Sequence, residues 1–192
     1  MRIEIFDHMD QCSEEEVQRM LPLVSAQRRE QALRYKYTFG QFCCLKSWLM
    51  LKELMDEGMS GLMDKWEYNE HGKPFIHHTP YAIHFSISHC KTGIAVAVDD
   101  APIGIDMESI RHADEGLIQR TMNKEERQLI ANANANADRI FTRLWTQKEA
   151  VVKALGTGIE GFEQLQNILT KTSSRIETIE TDNYIYSIAY KS

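Results

Sequence analysis

The residues best suited to chemistry fall in two short stretches. In IGIDME, residues 103–108, apolar alternation puts Ile103, Ile105 and Met107 on one face of a strand and Gly104, Asp106 and Glu108 on the other. Positions two apart on a strand are about 6.5–7 Å apart at Cα, so both carboxylates can converge on one hard cation. Magnesium takes one or two carboxylates, keeps several waters and binds substrate phosphates. Taken alone, the same pattern also fits a solvated acidic face. Gly104 lets another backbone or a ligand come close.

The second stretch is FTRLWTQKEAVVKALGTGI, residues 141–159. Leu144, Val151, Val152 and Leu155 recur at helical spacing, and Glu149 and Lys153, four apart, share a face with Trp145. Gly156 and Gly158 are expected to end the helix. By itself the Glu–Lys pair fits an ordinary surface helix. Joined to a carboxylate strand about forty residues upstream, the stretch reads as an active-site helix.

Other elements must position these two. Arg2 to Phe6 alternates as a short strand, and Ser13 followed by Glu14, Glu15 and Glu16 reads as a helix start that Pro22 breaks. Ser25 opens a helix whose face carries Arg28, Arg29, Arg34 and Lys36, the densest positive patch in the chain and the place to look for a phosphate site. Phe42 to Met55 predicts a buried helix ended by Gly58 and Gly61. WEYNEHGKPFI predicts a strand, a turn at His71-Gly72 and an extended Lys73 before proline. Ile83 to Cys90 and Gly93 to Val98 read as a hairpin with a Lys91-Thr92 turn, the second strand central, and Ser88 and His89 sit at the end of the first. Residues 111–120 are polar and partly helical, Asn123 caps a helix, residues 131–138 (ANANANAD) read as an exposed connection, and Asp138 is a candidate cap for the Glu149 helix. Leu165 to Thr170, Arg175 to Ile179 and Tyr184 to Tyr190 read as strands. Helices followed by strands thus occur twice, over residues 1–100 and 101–192, which predicts an α+β fold of two comparable halves with a site between them.

Composition narrows the function classes. A chain of 192 residues with 43% hydrophobic residues is long enough for a substantial core. A formal net charge of -6 argues against a general nucleic-acid binder. Cys12, Cys43, Cys44 and Cys90 have neither C-x-x-C spacing nor framework density, and fit thiols in a reducing compartment. The N-terminus lacks a signal-peptide core, and no apolar run approaches the ~18 residues of a membrane span. A soluble cytoplasmic protein is the expectation.

IGIDME followed by WTQKEAVVKALGTGI, with HGKPFI and FSISHC upstream, resembles the motif set of the 4'-phosphopantetheinyl transferase superfamily. That set is G-[IV]-D-x-E and [FW]-x-x-K-E-[AS]-x-x-K, preceded by G-K-P and F-x-x-S-H. Chain length and the four segments look like the two-half, surfactin-type branch, whose similar α/β halves pack as a pseudo-dimer.

The resemblance implies transfer of the phosphopantetheine arm from coenzyme A to a serine of an apo acyl or peptidyl carrier protein, with release of 3',5'-ADP. It makes Asp106, Glu108 and Glu149 the ligands of magnesium, with manganese as the alternative. Glu149 becomes the leading general base, and Lys153 the residue that meets the pyrophosphate. Lys73, Ser88 and His89 would contact the nucleotide and its phosphates, and Arg28 the 3'-phosphate. Gln31 and Cys43 stand where the family commonly has further basic residues, a departure at the 3'-phosphate grip. A monomer follows by resemblance, since two halves would supply the interface that short relatives form between subunits. The rival readings are an inactive module that binds coenzyme A or a carrier, and a magnesium-dependent phosphohydrolase or nuclease. The first is disfavoured because all three carboxylates and Lys153 are present; the second lacks a broad basic surface.

Overall fold

A computed structural model describes residues 1–55, 63, 66–76, 83–158 and 161–190. The first two α-helices start where a serine side chain can take up a free amide. Ser13 Oγ accepts from Glu16 N ahead of α1 (Glu14–Met20), and Ser25 Oγ accepts from Arg28 N ahead of α2 (Ala26–Leu33), each at 3.2 Å. Pro22 lies in the short 3-10 turn Leu21–Leu23 that ends the first of these. The long helix α3 (Thr38–Leu54) starts four residues before the predicted Phe42, and its predicted stops Gly58 and Gly61 lie outside the described residues.

The strands are β1 (Arg2–Phe6), β2 (Trp66–Tyr68), β3 (Pro74–Ile76), β4 (His84–Cys90), β5 (Gly93–Asp99) and β6 (Ile103–Ser109), followed after four helices by β7 (Arg175–Glu180) and β8 (Tyr184–Tyr190). They form antiparallel sheets in the orders β1-β5-β4 and β6-β8-β7, plus the hairpin β2-β3. The apolar β5 is central, as its sequence predicts. Its Ile94, Val96 and Val98 face α3 through Phe42, Leu45 and Leu51, while Ala95 and Ala97 face Ile103, Ile105 and Met107 of β6. The small residues let the two sheets pack face to face; a Cβ at Gly93 would collide with Met107.

The outer face of the second sheet receives α6 (Ala137–Leu155). Gly104 makes that possible, because a Cβ there would run into the main chain of Ala150, Lys153 and Ala154. The order of layers is therefore α3, first sheet, second sheet, α6. Between the sheets, Ser86 and Ser88 accept from the edge amides of Ile105 and Met107 at 3.0 and 3.1 Å. These hydroxyls satisfy the free edge of β6. Mixed helix and sheet agree with the α+β expectation.

Several local expectations are corrected. Leu165 to Thr170 is not a strand but part of α7 (Phe162–Lys171), because Leu165, Ile168 and Leu169 recur at helical spacing and Leu165 and Ile168 are buried against α6. Asp138 is not a cap: Asn136 holds that position, and Asp138 pairs its carboxylate with His112 at 2.9 Å. The connection read at residues 131–138 is shorter than predicted, since α5 (Lys124–Asn132) runs into it and only Asn134–Asn136 makes a separate 3-10 turn. Residues 111–120 contribute α4 (Glu115–Thr121), capped by Asp114. Leu155 is exposed rather than part of the buried stripe of α6.

Lys148 lies in that buried stripe, between Leu144 and Val151, with no exposed surface. Its ammonium pairs with Glu126 Oε2 at 2.8 Å and donates to Leu165 O at 2.6 Å, joining α5, α6 and α7. Lys148→Met leaves Glu126 buried without its cation and is expected to cost about 3–5 kcal/mol in urea denaturation. Adding Glu126→Gln should recover much of that loss; no recovery would mean the pair is not energetically coupled.

Candidate active site

The second sheet and α6 bring the predicted carboxylates near enough for Asp106 to raise the pKa of Glu108 and Glu149, though not into a ready-made metal cage among the described residues. Asp106, 4% exposed, accepts at Oδ1 from Lys153 Nζ at 2.7 Å and from Ser88 Oγ at 2.9 Å. Its Oδ2 is buried and has no partner among the described residues. Such an oxygen is costly unless something pairs with it. Glu108, two positions on, carries a raised pKa, first from burial and then from Asp106, opposed by Arg111, an indole hydrogen bond from Trp145, and Lys153. Glu149 is raised to about 7, again first by burial and then by Asp106, with Lys153 opposing and Glu108 adding. Each of these two carboxylates therefore feels negative charge from its neighbours.

A cavity of about 250 Å³ opens beside this cluster. Gly72, Lys73 and Pro74 of the β2–β3 hairpin line one side, and Glu149 and Lys153 the other, with Ser86 at the sheet edge. Segments distant in the chain, residues 71–74 and 85–87 on one hand and 149–158 on the other, thus share its wall.

The remaining site expectations separate. Ser88 and His89 are consecutive strand residues and point to opposite faces. Ser88 reaches Asp106, whereas His89 meets the Phe39 ring edge-on at 6.0 Å. Burial, then Lys153, lowers the His89 pKa. Lys73 turns its ammonium to main-chain carbonyls at the end of α6 and the start of β6. Arg28 is 6% exposed: its guanidinium stacks 3.7 Å over the Trp66 ring and donates to Cys44 Sγ at 3.6 Å. It does not line the 250 Å³ cavity.

The basic patch predicted on one helix face is not formed as such. Helix α2 stops at Leu33, so Arg34 and Lys36 lie beyond it; Arg34 pairs with Glu30 and Arg29 donates to Leu21 O. Gln31 donates to Tyr68 Oη at 2.7 Å, and Cys43 is buried with its thiol pushed up to about 12, chiefly by burial.

Sequence reasoning missed three contributors. Lys148 carried a signal, a lysine within an apolar stripe. Ser86 repeats the Ser88 position two residues earlier on the same strand face. Asn69 carried no signal beyond lying two residues before the predicted His71-Gly72 turn.

Similarity to known proteins agrees with this geometry. A family model described as the 4'-phosphopantetheinyl transferase superfamily matches residues 102–191, which include β6, α6 and all three carboxylates. The 4'-phosphopantetheinyl transferase ffp of Bacillus subtilis is 30% identical over 156 residues, covering 79% of this chain and 69% of the relative. The chain belongs to the 4'-phosphopantetheinyl transferase superfamily. Within that superfamily it is also similar to psf-1 of Bacillus pumilus, 29% identical over 78% of this chain and 65% of the relative. Sfp of Bacillus subtilis (strain 168) is 29% identical over 79% of this chain and 69% of the relative. These relatives place the superfamily member in the surfactin-type branch. The chain spans about two thirds of the length of these relatives.

A divalent cation suits the donor set of this superfamily member. The donors are hard carboxylate oxygens, one of them orphaned in the interior, and ionised neighbours repel one another without a counter-charge. Among the described residues no three acidic, histidine or cysteine side chains already converge as a metal cage. Lys153 instead supplies the positive charge at Asp106 Oδ1. Among the described residues, no helix is long and apolar enough to cross a membrane.

Proposed function

We propose that this protein transfers the 4'-phosphopantetheine arm of coenzyme A to a serine of an apo acyl or peptidyl carrier protein and releases 3',5'-ADP. The observation that carries this reading is the constellation at the cavity: Asp106 held by Ser88 and Lys153, its second oxygen without a partner among the described residues, with Glu149 protonating near neutrality.

The serine oxygen attacks the pantetheine-bearing phosphorus, its O–P bond forming as the pyrophosphate O–P bond breaks. Glu149 takes the hydroxyl proton, a role favoured by a pKa of about 7, near the pH of operation. Lys153, one helical turn on, moves its charge between Asp106 and the diphosphate, offsetting the negative charge that builds on the leaving 3',5'-ADP. Asp106, Glu108 and Glu149 would hold magnesium, or manganese in its place. When bound, that ion supplies further charge neutralisation at the pyrophosphate. Ser88 keeps Asp106 in orientation.

The two sheets share the order first-last-middle in chain sequence, β1-β5-β4 and β6-β8-β7, each with a long helix, α3 or α6, on its outer face. This supports the reading of residues 1–100 and 101–192 as paired halves of a pseudo-dimer, and of the protein as a monomer. Sedimentation showing a stable oligomer at micromolar concentration would overturn the monomer. Coenzyme A chemistry and four free cysteines suit a cytoplasmic setting, with no role for nucleic acid or membrane.

Intact-mass analysis of a panel of apo carriers incubated with the protein, coenzyme A and magnesium tests the activity. One phosphopantetheine arm should appear on a carrier serine and vanish with chelator. Release of 3',5'-ADP without any carrier would instead identify a hydrolase.

A further inference from the structure

The β2–β3 hairpin grips the end of α6 through contacts that a nucleotide site does not require. An α-helix leaves its last four carbonyls without intrahelical partners. Here Val152 O accepts from Gly156 N at 2.9 Å, and Lys153 O and Ala154 O accept from Lys73 Nζ at 2.6 and 3.4 Å. Just past the helix, Gly156 O accepts from Asn69 Nδ2 at 2.8 Å. Asn69 Oδ1 meanwhile accepts from the amides of His71 and Lys73 at 3.0 and 2.8 Å. One side chain thus folds the turn and holds the helix end.

Lys73 Nζ makes its third contact with Ile103 O at 3.4 Å. An ammonium has three donors and no acceptor, and all three here end on main-chain carbonyls. Ile103 begins the strand that bears Asp106 and Glu108; Lys153 and Ala154 end the helix that bears Glu149. A single cation therefore ties together the two elements that carry the carboxylates. A positive charge at a helix C-terminus is also favoured by the helix dipole. Gly156, at φ 72°, completes the fit, since a Cβ there would lie 3.2 Å from Lys73 Cδ.

We infer that Lys73 and Asn69 are positioning residues that clamp the carboxy-terminal end of α6 against β6, holding Glu149 and Lys153 opposite Asp106, and that Lys73 is not a phosphate ligand. Only the kinetic consequence rests on the transferase reading. The clamp itself rests on hydrogen bonds within the chain.

The test compares Lys73→Met, Lys73→Arg and Asn69→Ala in the full chain. Hydrogen exchange of residues 150–158 without ligand reports the clamp, and calorimetric titration with 3',5'-ADP reports phosphate binding. With Lys73→Met, exchange in that segment should quicken by roughly tenfold or more, and kcat should fall by at least about tenfold. The Kd for 3',5'-ADP and the KM for coenzyme A should stay within about twofold. Asn69→Ala should move exchange and kcat the same way by less, and Lys73→Arg should restore most of both. Unchanged exchange in both Lys73→Met and Asn69→Ala overturns the clamp. Quickened exchange with unchanged kcat overturns the positioning role. A tenfold weaker 3',5'-ADP complex in Lys73→Met restores Lys73 as a phosphate ligand. If the wild-type protein modifies no carrier, the proposed function fails while the exchange data still decide the clamp.

Discussion

Glu149→Gln is expected to lower carrier modification by about 10²–10⁴-fold, the range for loss of a general base, while leaving the fold intact and, at pH 8, more stable than wild type. The stability gain follows from linkage. Burial and the neighbouring carboxylates raise the Glu149 pKa from its ordinary 4.5 to about 7 in the folded protein. Below pH 4.5 the group is protonated in both states and imposes no penalty. As pH rises through the window from about 4.5 to about 7, the unfolded chain ionises freely and the folded protein resists, so stability is lost. Above that window the loss is complete. Glutamine does not ionise and escapes it.

Because Glu149 is partly exposed, solvent screening reduces the effect, and a gain of about 1 kcal/mol, a few degrees in Tm, is the scale to look for. The same titration shapes the kinetics with the opposite sign. The value of kcat/KM should rise with pH on a limb centred near 7, about tenfold per unit below it. Raising magnesium should shift that limb to lower pH, since a cation favours the ionised carboxylate. A Glu149→Gln protein that retains wild-type kcat would remove Glu149 from proton transfer. An unshifted limb would separate it from the metal.

Gly104→Ala carries the second large effect, and it acts through the backbone. The added Cβ meets main-chain atoms of Ala150, Lys153 and Ala154, not flexible side-chain ends, so α6 must move off the sheet. Overpacking of this kind costs typically 1–3 kcal/mol and sometimes more. With the contact made by backbone, about 3 kcal/mol is expected, or roughly 6–12 °C in Tm for a domain of this size. Displacement of the helix by even ~1 Å separates Glu149 and Lys153 from Asp106 and should lower kcat by about 10²-fold. Scanning calorimetry and transfer kinetics on the same preparation check both. A variant with wild-type Tm and kcat would show that α6 is not seated on Gly104.

The chemistry was legible from local pattern. Alternation in IGIDME placed Gly104, Asp106 and Glu108 on one face, and that face does meet α6. Helical spacing put Glu149 and Lys153 together, and capping residues such as Ser13, Ser25 and Asn123 marked helix starts, because each depends on neighbours within one turn or one pleat. Where a segment is short and apolar, local pattern misled. Leu165 to Thr170 reads as a strand in the sequence, and its burial against α6 makes it a helix.

What the sequence by itself determined was the set of reactive groups and the elements that bear them. Tertiary structure alone decided what each charge is used for. A lysine has the same donors wherever it stands, but Lys153 meets Asp106, Lys148 is buried on Glu126, and Lys73 closes a helix end. Arg28, which the resemblance assigns to the 3'-phosphate, is packed over Trp66, a residue far from it in the chain. The physical reason is that a charge's role is set by the carbonyls, carboxylates and rings that desolvate it. Those partners arrive from distant segments only when the layers close.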